Sequence, residues 1–232
     1  MRRKFISAVA LLLVAGAAQA QGPDMQQKVA ALKQSIAENQ AALRKYQWIQ
    51  TTKISLNGEV KQTQVSQCQY QGPGKPVCTE LSSTPAEKPS GGPLKKKMIE
   101  NKIAEMKAYM DSVKTLVAMY VPPNGEKIET ARNTGNVSFS ENPSAGTESI
   151  VISNYAQKGD NMAVVLGAVG KGIRELVINT WLNDPTQVVT LRVTMAKLGD
   201  GTRYSASKVL NATAKGITVA ITSTNYSVVA GN

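Results

Sequence analysis

The sequence predicts an α+β protein in which a large antiparallel sheet is accompanied by two long helices. Apolar residues recur at alternating steps of four and three within residues 24–46 and 94–120, a spacing that indicates amphipathic helices. From Val137 onward the chain alternates between apolar and polar residues in short segments, which is typical of strands with one solvated face. Gly, Pro, Asn and Asp separate these segments at intervals that suit antiparallel neighbours.

The N-terminal residues 1–20 have the pattern of a secretory signal peptide. Three basic residues precede an apolar run, and Ala18 and Ala20 supply the small side chains of a cleavage site after Ala20. A transmembrane anchor is the alternative, but the run is shorter than the ~20 apolar residues that span a bilayer. We therefore expect a periplasmic or secreted protein of a bacterial envelope, not integral to the membrane, with residues 21–232 forming one domain.

The first predicted helix, residues 24–46, has Asp24 as a possible N-cap. Its apolar stripe, interrupted at Asn39, consists of Met25, Val29, Leu32, Ile36, Leu43 and Tyr46. A β-meander follows, because Asn57-Gly58 favours a tight hairpin turn and Gly72-Pro73-Gly74 favours a second turn. The meander's predicted strands are 48–56, 60–70 and 77–82.

The chain's two cysteines, Cys68 and Cys78, lie on either side of the Gly-Pro-Gly turn. A three-residue loop there places them opposite each other, where Cβ atoms are about 4.5–5.5 Å apart and closer in non-hydrogen-bonded pairs. A disulfide needs roughly 3.5–4.5 Å, so that register suits a bridge. Two free thiols are the alternative, and export to an oxidising compartment favours the disulfide.

The second half begins with a Pro/Gly-rich loop, residues 83–93, and a second helix, residues 94–120, that stops at Pro122-Pro123. The apolar stripe of this helix contains Ile99, Ile103, Met106, Met110, Val113, Val117 and Tyr120. A short helical segment is expected at about 124–133. The remaining predicted strands are 137–140, 147–155, 161–168, 173–182, 186–198, 203–212 and 217–228.

This order of elements resembles the periplasmic carriers of outer-membrane lipoproteins and the lipoprotein-localisation-factor superfamily. Two local patterns carry the resemblance, "YQWIQTTKISLNGEVKQTQVSQCQYQGPGKPV" and "MAKLGDGTRYSASKVLNATAKGITVAITSTNYSVV". The resemblance implies a sheet curved into an unclosed half-barrel, with the helices across its open face. It also implies an apolar cavity that holds acyl chains. No functional residue of the carriers is transferred to this chain.

A ligand cavity between the sheet and the helices is expected to involve the second helix and both tryptophans. Half of the eight methionines lie on that helix, and methionine adapts to irregular apolar partners. An ordinary packed core is the alternative reading, and the side of the sheet that each tryptophan occupies stays open. The expected cavity residues are Trp48, Ile99, Ile103, Met106, Met110, Val113, Val117 and Trp181.

Enzymatic chemistry is not expected. The chain contains no histidine, which excludes Ser–His and Cys–His nucleophilic sites and histidine metal sites. The carboxylates that remain as candidates are Asp160, Glu175, Asp184 and Asp200, of which all but Glu175 stand at turns beside Gly or Pro. Aspartate is common at turns for backbone reasons. No catalytic residue, metal or cofactor is therefore predicted.

The chain is basic, with 27 Lys and Arg residues against 16 Asp and Glu residues. Removal of the three basic residues of the signal peptide lowers the formal charge from +11 to +8. Such a surface favours anionic partners, such as an anionic envelope surface; nucleic acid is not expected because of export and an aromatic content of 5%. The predicted function is binding or carrying a lipid or a lipoprotein acyl chain. A non-catalytic structural or interaction module with a filled core is the alternative.

Overall fold

The computed structural model describes residues 23–72, 74–84, 92–167 and 172–229. The predicted signal peptide lies outside the described residues, as does most of the predicted Pro/Gly-rich loop, residues 83–93.

Three helices and ten strands form the described part of the chain. The helices are α1 (Pro23–Leu43), α2 (Pro93–Ala118) and α3 (Gly125–Asn133). The strands of the N-terminal meander are β1 (Tyr46–Leu56), β2 (Glu59–Gln69) and β3 (Val77–Ser83). The remaining strands are β4 (Val137–Asn142), β5 (Thr147–Ser153), β6 (Asn161–Gly167), β7 (Ile173–Trp181), β8 (Val188–Lys197), β9 (Arg203–Ala212) and β10 (Ile217–Val228).

All ten strands belong to one antiparallel sheet with the order β3-β2-β1-β10-β9-β8-β7-β6-β5-β4. Strands β4 to β10 pair with their neighbours in sequence, whereas β1 pairs with β10. Within the described residues β3 and β4 are the two edges and do not pair with each other, so the sheet is not closed. The predicted α+β class, with an unclosed curved sheet and two long helices, is confirmed.

Tyr46 is the clearest correction to the predicted element boundaries. The sequence places it at the end of the first helical stripe, but α1 ends at Leu43 and Tyr46 begins β1. Tyr46 lies opposite Val228 of β10, and its hydroxyl donates to Asp200 Oδ2 at 2.6 Å. Pairing with a strand at the far end of the chain therefore overrides a locally helical pattern. Helix α1 also begins at Pro23, so Asp24 lies inside its first turn.

The predicted disulfide is confirmed. Cys68 on β2 and Cys78 on β3 are directly opposed, with their Cα atoms 4.0 Å apart and their sulfurs bonded. The two residues differ in environment, since Cys68 is fully buried whereas Cys78 is exposed. The bridge therefore fastens an exposed edge strand to the interior of the protein.

The hydrophobic core lies between β5–β9 and the two helices α2 and α3. Val113, Leu116 and Tyr120 contribute from α2 and the turn after it, and Ile128 and Ala131 contribute from α3. Most of the other core side chains face inward from the strands β5–β9: Ile150, Ile152, Met162, Val164, Leu176, Ile178, Val189, Leu191, Val193, Leu210 and Ala212.

A buried polar cluster fixes the end of α2 against the sheet. The Tyr120 hydroxyl donates to Asp160 Oδ2 at 2.5 Å and lies 2.8 Å from the Thr180 hydroxyl. Burial, followed by the hydrogen bond to Asp160, raises the pKa of Tyr120, so the phenol stays protonated. Each buried polar group in this cluster has a partner, which is the condition for placing polar atoms in a core at little cost.

Candidate functional site

A cavity of about 520 Å³ lies between α1 and the concave face of the sheet. This volume falls within the roughly 300–1,000 Å³ that is usual for small-molecule sites. Helix α1 contributes Ser35, Ile36, Asn39, Gln40 and Leu43 to the wall, and the segment after α2 contributes Val121, Pro122 and Pro123. Val164, Ile173, Leu176, Val193 and Met195 of the sheet supply the apolar floor.

An aromatic cluster forms one side of the cavity. Trp48 stacks on Tyr226 with ring centroids 5.4 Å apart, and the Tyr70 ring lies 5.6 Å from that of Trp48. All three residues line the cavity. Burial raises the pKa of Tyr226 and that of Tyr70, so both phenols remain neutral and this wall carries no negative charge at ordinary pH.

Asn39 attaches α1 to the sheet. Its amide nitrogen donates to the Arg203 carbonyl oxygen, and its amide oxygen accepts from the Arg203 backbone N–H, each at 2.7 Å. Both backbone groups at the start of β9 are thus satisfied by one side chain. Asn39, the polar residue that interrupts the apolar stripe of α1, therefore fixes this helix over the cavity.

Four cationic side chains line the cavity: Arg44, Lys75, Arg203 and Lys208. Among the described residues that line the cavity, none is an aspartate or a glutamate. Lys208 lies half-buried on β9, opposite Val193 and Ile221, and burial lowers the pKa of its ammonium group. Within the described residues no carboxylate pairs with Lys208. The site therefore offers a partly desolvated cation to an anionic group.

A β-bulge explains why both Arg203 and Lys208 face the cavity. Thr194 lies opposite Ser207 and Met195 lies opposite Ser205, so Ala206 is an extra residue in β9. Strand side chains alternate between the two faces of a sheet. One extra residue shifts this alternation, so that each later residue in the strand lies on the face opposite to the one that simple alternation gives. Arg203 and Ser205 face the cavity on one side of the bulge, and Lys208 faces it on the other. Alternation alone would place Arg203 and Lys208 on opposite faces of the strand.

Of the eight residues expected to line a cavity, only Trp48 contributes to this lining. On α2, Val113 belongs to the core cluster, and Met106, Met110 and Val117 pack against it. Ile103 is exposed and Ile99 is half-buried. This cavity is lined by α1 where the sequence analysis expects α2, because the apolar side of α2 either packs on the core or faces solvent.

Trp181 also lies away from the cavity. Thr180 faces inward, where it meets Tyr120, so its neighbour Trp181 lies on the outer face by strand alternation. The Trp181 ring packs over Gly159, where an added Cβ atom would come within 2.9 Å of it. The two tryptophans thus occupy opposite faces of the sheet.

The four candidate carboxylates either stabilise turns through hydrogen bonds to backbone N–H groups or form a surface ion pair. Asp160 is 2% exposed and accepts the backbone N–H groups of residues 155, 156 and 157 at 2.6, 2.9 and 2.8 Å. Asp184 and Asp200 accept from residues two positions ahead in their own turns, while Glu175 pairs with Arg192 on the surface. Among the residues that the structure describes, no group of three or more His, Cys, Asp and Glu side chains is placed to hold a metal ion.

No protein family matches the chain, and no curated protein matches it. Two solved structures are similar to it. One is a DUF1329 family protein from Desulfovibrio piger ATCC 29098, with a TM-score of 0.41 and 8% identity over 88% of this chain and 94% of the other. The second is a putative outer membrane lipoprotein-sorting protein domain from Vibrio parahaemolyticus, with a TM-score of 0.40 and 9% identity over the same shares. Similarity at this level carries no conclusion about the activity of this chain.

None of the helices in the described part of the chain has the length and apolar character needed to cross a membrane.

Proposed function

We propose that this is an exported, non-catalytic protein that binds an anionic amphiphile, either a lipid or the acyl chain of a lipoprotein, in the cavity beneath α1. The observation that carries the proposal is an apolar cavity whose charged lining residues, within the part of the chain that the structure describes, are cationic. Apolar walls suit a hydrocarbon chain, and the four cations suit a carboxylate or phosphate headgroup.

The hydrocarbon chain is held by burial against the floor of the cavity. Ile36 and Leu43 of α1 face Val164 and Leu176 of the sheet across this space. Each Å² of apolar surface removed from water contributes about 25 cal/mol, without requiring any directional contact. Such a site accepts chains of different length or branching, which suits the transport or storage of lipids.

The headgroup is held by Lys208. Burial of this ammonium group without a carboxylate partner disfavours its charged form, which is why its pKa is lowered. An anion bound in the cavity would supply the Lys208 ammonium group with a partner of opposite charge. Hydrogen bonds between charged groups are stronger than those between neutral groups. Arg44 and Lys75, which are exposed at the border of the cavity, provide a positive entrance.

The test is displacement of a fluorescent fatty acid from the purified protein. Lys208→Met should weaken binding of the fatty acid about tenfold, as expected for loss of a charge-assisted hydrogen bond, and should leave binding of the corresponding fatty alcohol nearly unchanged. Lys53→Met, which removes an exposed cation from β1, is the matched control and should bind both probes as the wild type does.

Two results would contradict the proposal. One is a wild-type protein that binds neither probe and carries no lipid in native mass spectrometry after purification from its own envelope; a structural module would then be the better description. The other is turnover of an ester, peptide or glycoside substrate that follows the purified protein and is lost in Asp160→Asn.

A further inference from the structure

The N-terminal half of α2 extends beyond the packed body of the protein. We call residues 94–105 the basic arm. Every side chain in it except that of Ile99 is exposed, and the first fully buried residue of the helix is Val113. Lys215, in the turn between β9 and β10, contacts Glu105 at 2.5 Å and marks the point at which the arm leaves the body.

The arm exposes large apolar side chains. Leu94, Met98 and Ile103 are 77%, 57% and 56% exposed, although isolated exposed hydrophobic residues elsewhere on a surface need no explanation. Here Leu94–Met98 and Ile99–Ile103 form two i,i+4 ridges along one side of the helix. This is the side that packs on the core further along α2 through Val113.

The same segment carries a strong positive charge. Lys95, Lys96, Lys97 and Lys102 all lie in the arm, against Glu100 and the paired Glu105. Helical spacing places Lys95 and Lys102 between the two apolar ridges. Lysine stems can lie along apolar surface while the ammonium groups reach a polar layer. A helix that combines exposed apolar ridges with several lysines is suited to lie in a membrane interface, where the ridges enter the headgroup layer and the ammonium groups stay in its polar part.

From this geometry we infer that the basic arm binds the surface of a bilayer containing anionic phospholipid. A second copy of the chain is a poorer partner for this face, because a formal charge of +8 remains after removal of the signal peptide, and the lysines would then face another basic molecule. The anionic headgroups pair with the lysines, and the apolar ridges enter the headgroup layer. The inference goes beyond ligand binding in the cavity and concerns a different surface of the molecule.

The test is cosedimentation of the full chain with vesicles. The wild type should bind vesicles of equimolar phosphatidylcholine and phosphatidylglycerol, release them as salt is raised, and ignore vesicles of phosphatidylcholine alone. The variant K95Q/K96Q/K97Q should bind about a hundredfold more weakly, since each lysine near an anionic surface contributes about fivefold. The variant L94Q/M98Q/I103Q should lose binding by about tenfold or more, because the apolar ridges are then absent.

Matched controls separate the arm from general charge and from the cavity. K53Q/K158Q/K197Q removes three exposed lysines elsewhere, and V60Q/L81Q removes two exposed apolar residues of the meander; both should bind vesicles as the wild type does. Lys208→Met should also bind vesicles normally, which excludes lipid capture by the cavity as the cause. Circular dichroism verifies that each variant is folded.

The inference is overturned if the folded wild type does not bind anionic vesicles, or if both arm variants bind them as tightly as the wild type. A wild type that elutes as a dimer and becomes monomeric in L94Q/M98Q/I103Q, with vesicle binding unchanged, would also overturn it and would identify a second copy as the partner.

Discussion

At the scale of single residues, Lys208 is a cavity-lining group whose charge depends on its surroundings. Burial lowers the pKa of its ammonium group in the folded protein, so the folded state holds this proton less tightly than the unfolded chain does. The free energy of unfolding therefore rises as pH increases from the lowered pKa toward the ordinary value of about 10.4. An anion bound beside Lys208 stabilises the protonated form and raises its pKa.

Affinity for an anionic amphiphile should therefore fall as pH rises through the lowered pKa of Lys208. An alkyl sulfate is the suitable probe, because its own charge is constant over that range. The other titratable groups that line the cavity are Lys75 at its exposed border and the phenols of Tyr70 and Tyr226, whose pKa values are raised.

The control for this pH dependence is Lys208→Arg, which keeps a cation that does not titrate. Its affinity for the alkyl sulfate, measured by calorimetry, should be nearly independent of pH over the range in which the wild type weakens. Equal pH profiles for the two proteins would contradict the assignment of the effect to Lys208.

At the scale of elements, the disulfide contributes more to the stability of the β2–β3 hairpin than to that of the other strand pairs. All seven residues of β3 are exposed, so little apolar burial holds this edge strand in place. The bridge spans a sequence separation of ten residues. Cross-linking a loop of this size stabilises the folded state by about 2–3 kcal/mol in the chain-entropy model.

The double substitution C68A/C78A should lower the free energy of unfolding by that amount, as measured in urea. Hydrogen exchange should show lost protection in β3 and at the end of β2, with β5–β9 unchanged apart from the global shift. The wild type should contain no free thiol until it is reduced. A titre of two thiols in the denatured, unreduced protein, or a uniform loss of protection, would contradict this prediction.

The elements themselves were largely predictable, because their signals are local. Periodicity and turn residues identified every strand and helix type, and Gly-Pro-Gly placed Cys68 opposite Cys78. Tyr46 was assigned wrongly because its strand partner Val228 lies at the other end of the chain. The apolar stripe of α2 favours that helix as a cavity wall, but a stripe does not reveal which surface it contacts, and α1 residues line the cavity described above. The bulge at Ala206, which turns Lys208 toward the cavity, has no local sequence signal.

At the scale of the whole molecule, the cavity joins two parts of the sheet. Trp48 and Tyr70 belong to the N-terminal meander, whereas Lys208 and Tyr226 belong to the C-terminal strands. A ligand that contacts both parts binds only the completely folded protein. Its contribution to the free energy of unfolding follows from mass action. At a free concentration a hundred times Kd, one ligand adds about 2.7 kcal/mol to the free energy of unfolding.

A saturating fatty acid should therefore raise Tm, and extraction of lipid from protein purified from its envelope should lower it. Differential scanning calorimetry of both forms measures this shift. Lys208→Met should show a smaller rise at the same concentration of fatty acid. An equal Tm for the extracted and lipid-loaded forms would contradict ligand binding to the folded state.

The pairing of β1 with β10 also determines when the cavity can form as the chain folds. Leu56 lies opposite Ile217 and Tyr46 lies opposite Val228, so this ladder joins residues from nearly the two extremes of the described chain. Ladders between such distant segments form late, because a long loop must close first. Strands β4 to β9 can pair as sequential hairpins. The aromatic wall of the cavity forms only when β10 has joined the sheet, because Tyr226 of β10 is part of that wall. A chain that ends before β10 would therefore lack Tyr226, and with it the partner on which Trp48 stacks in the aromatic wall of the cavity.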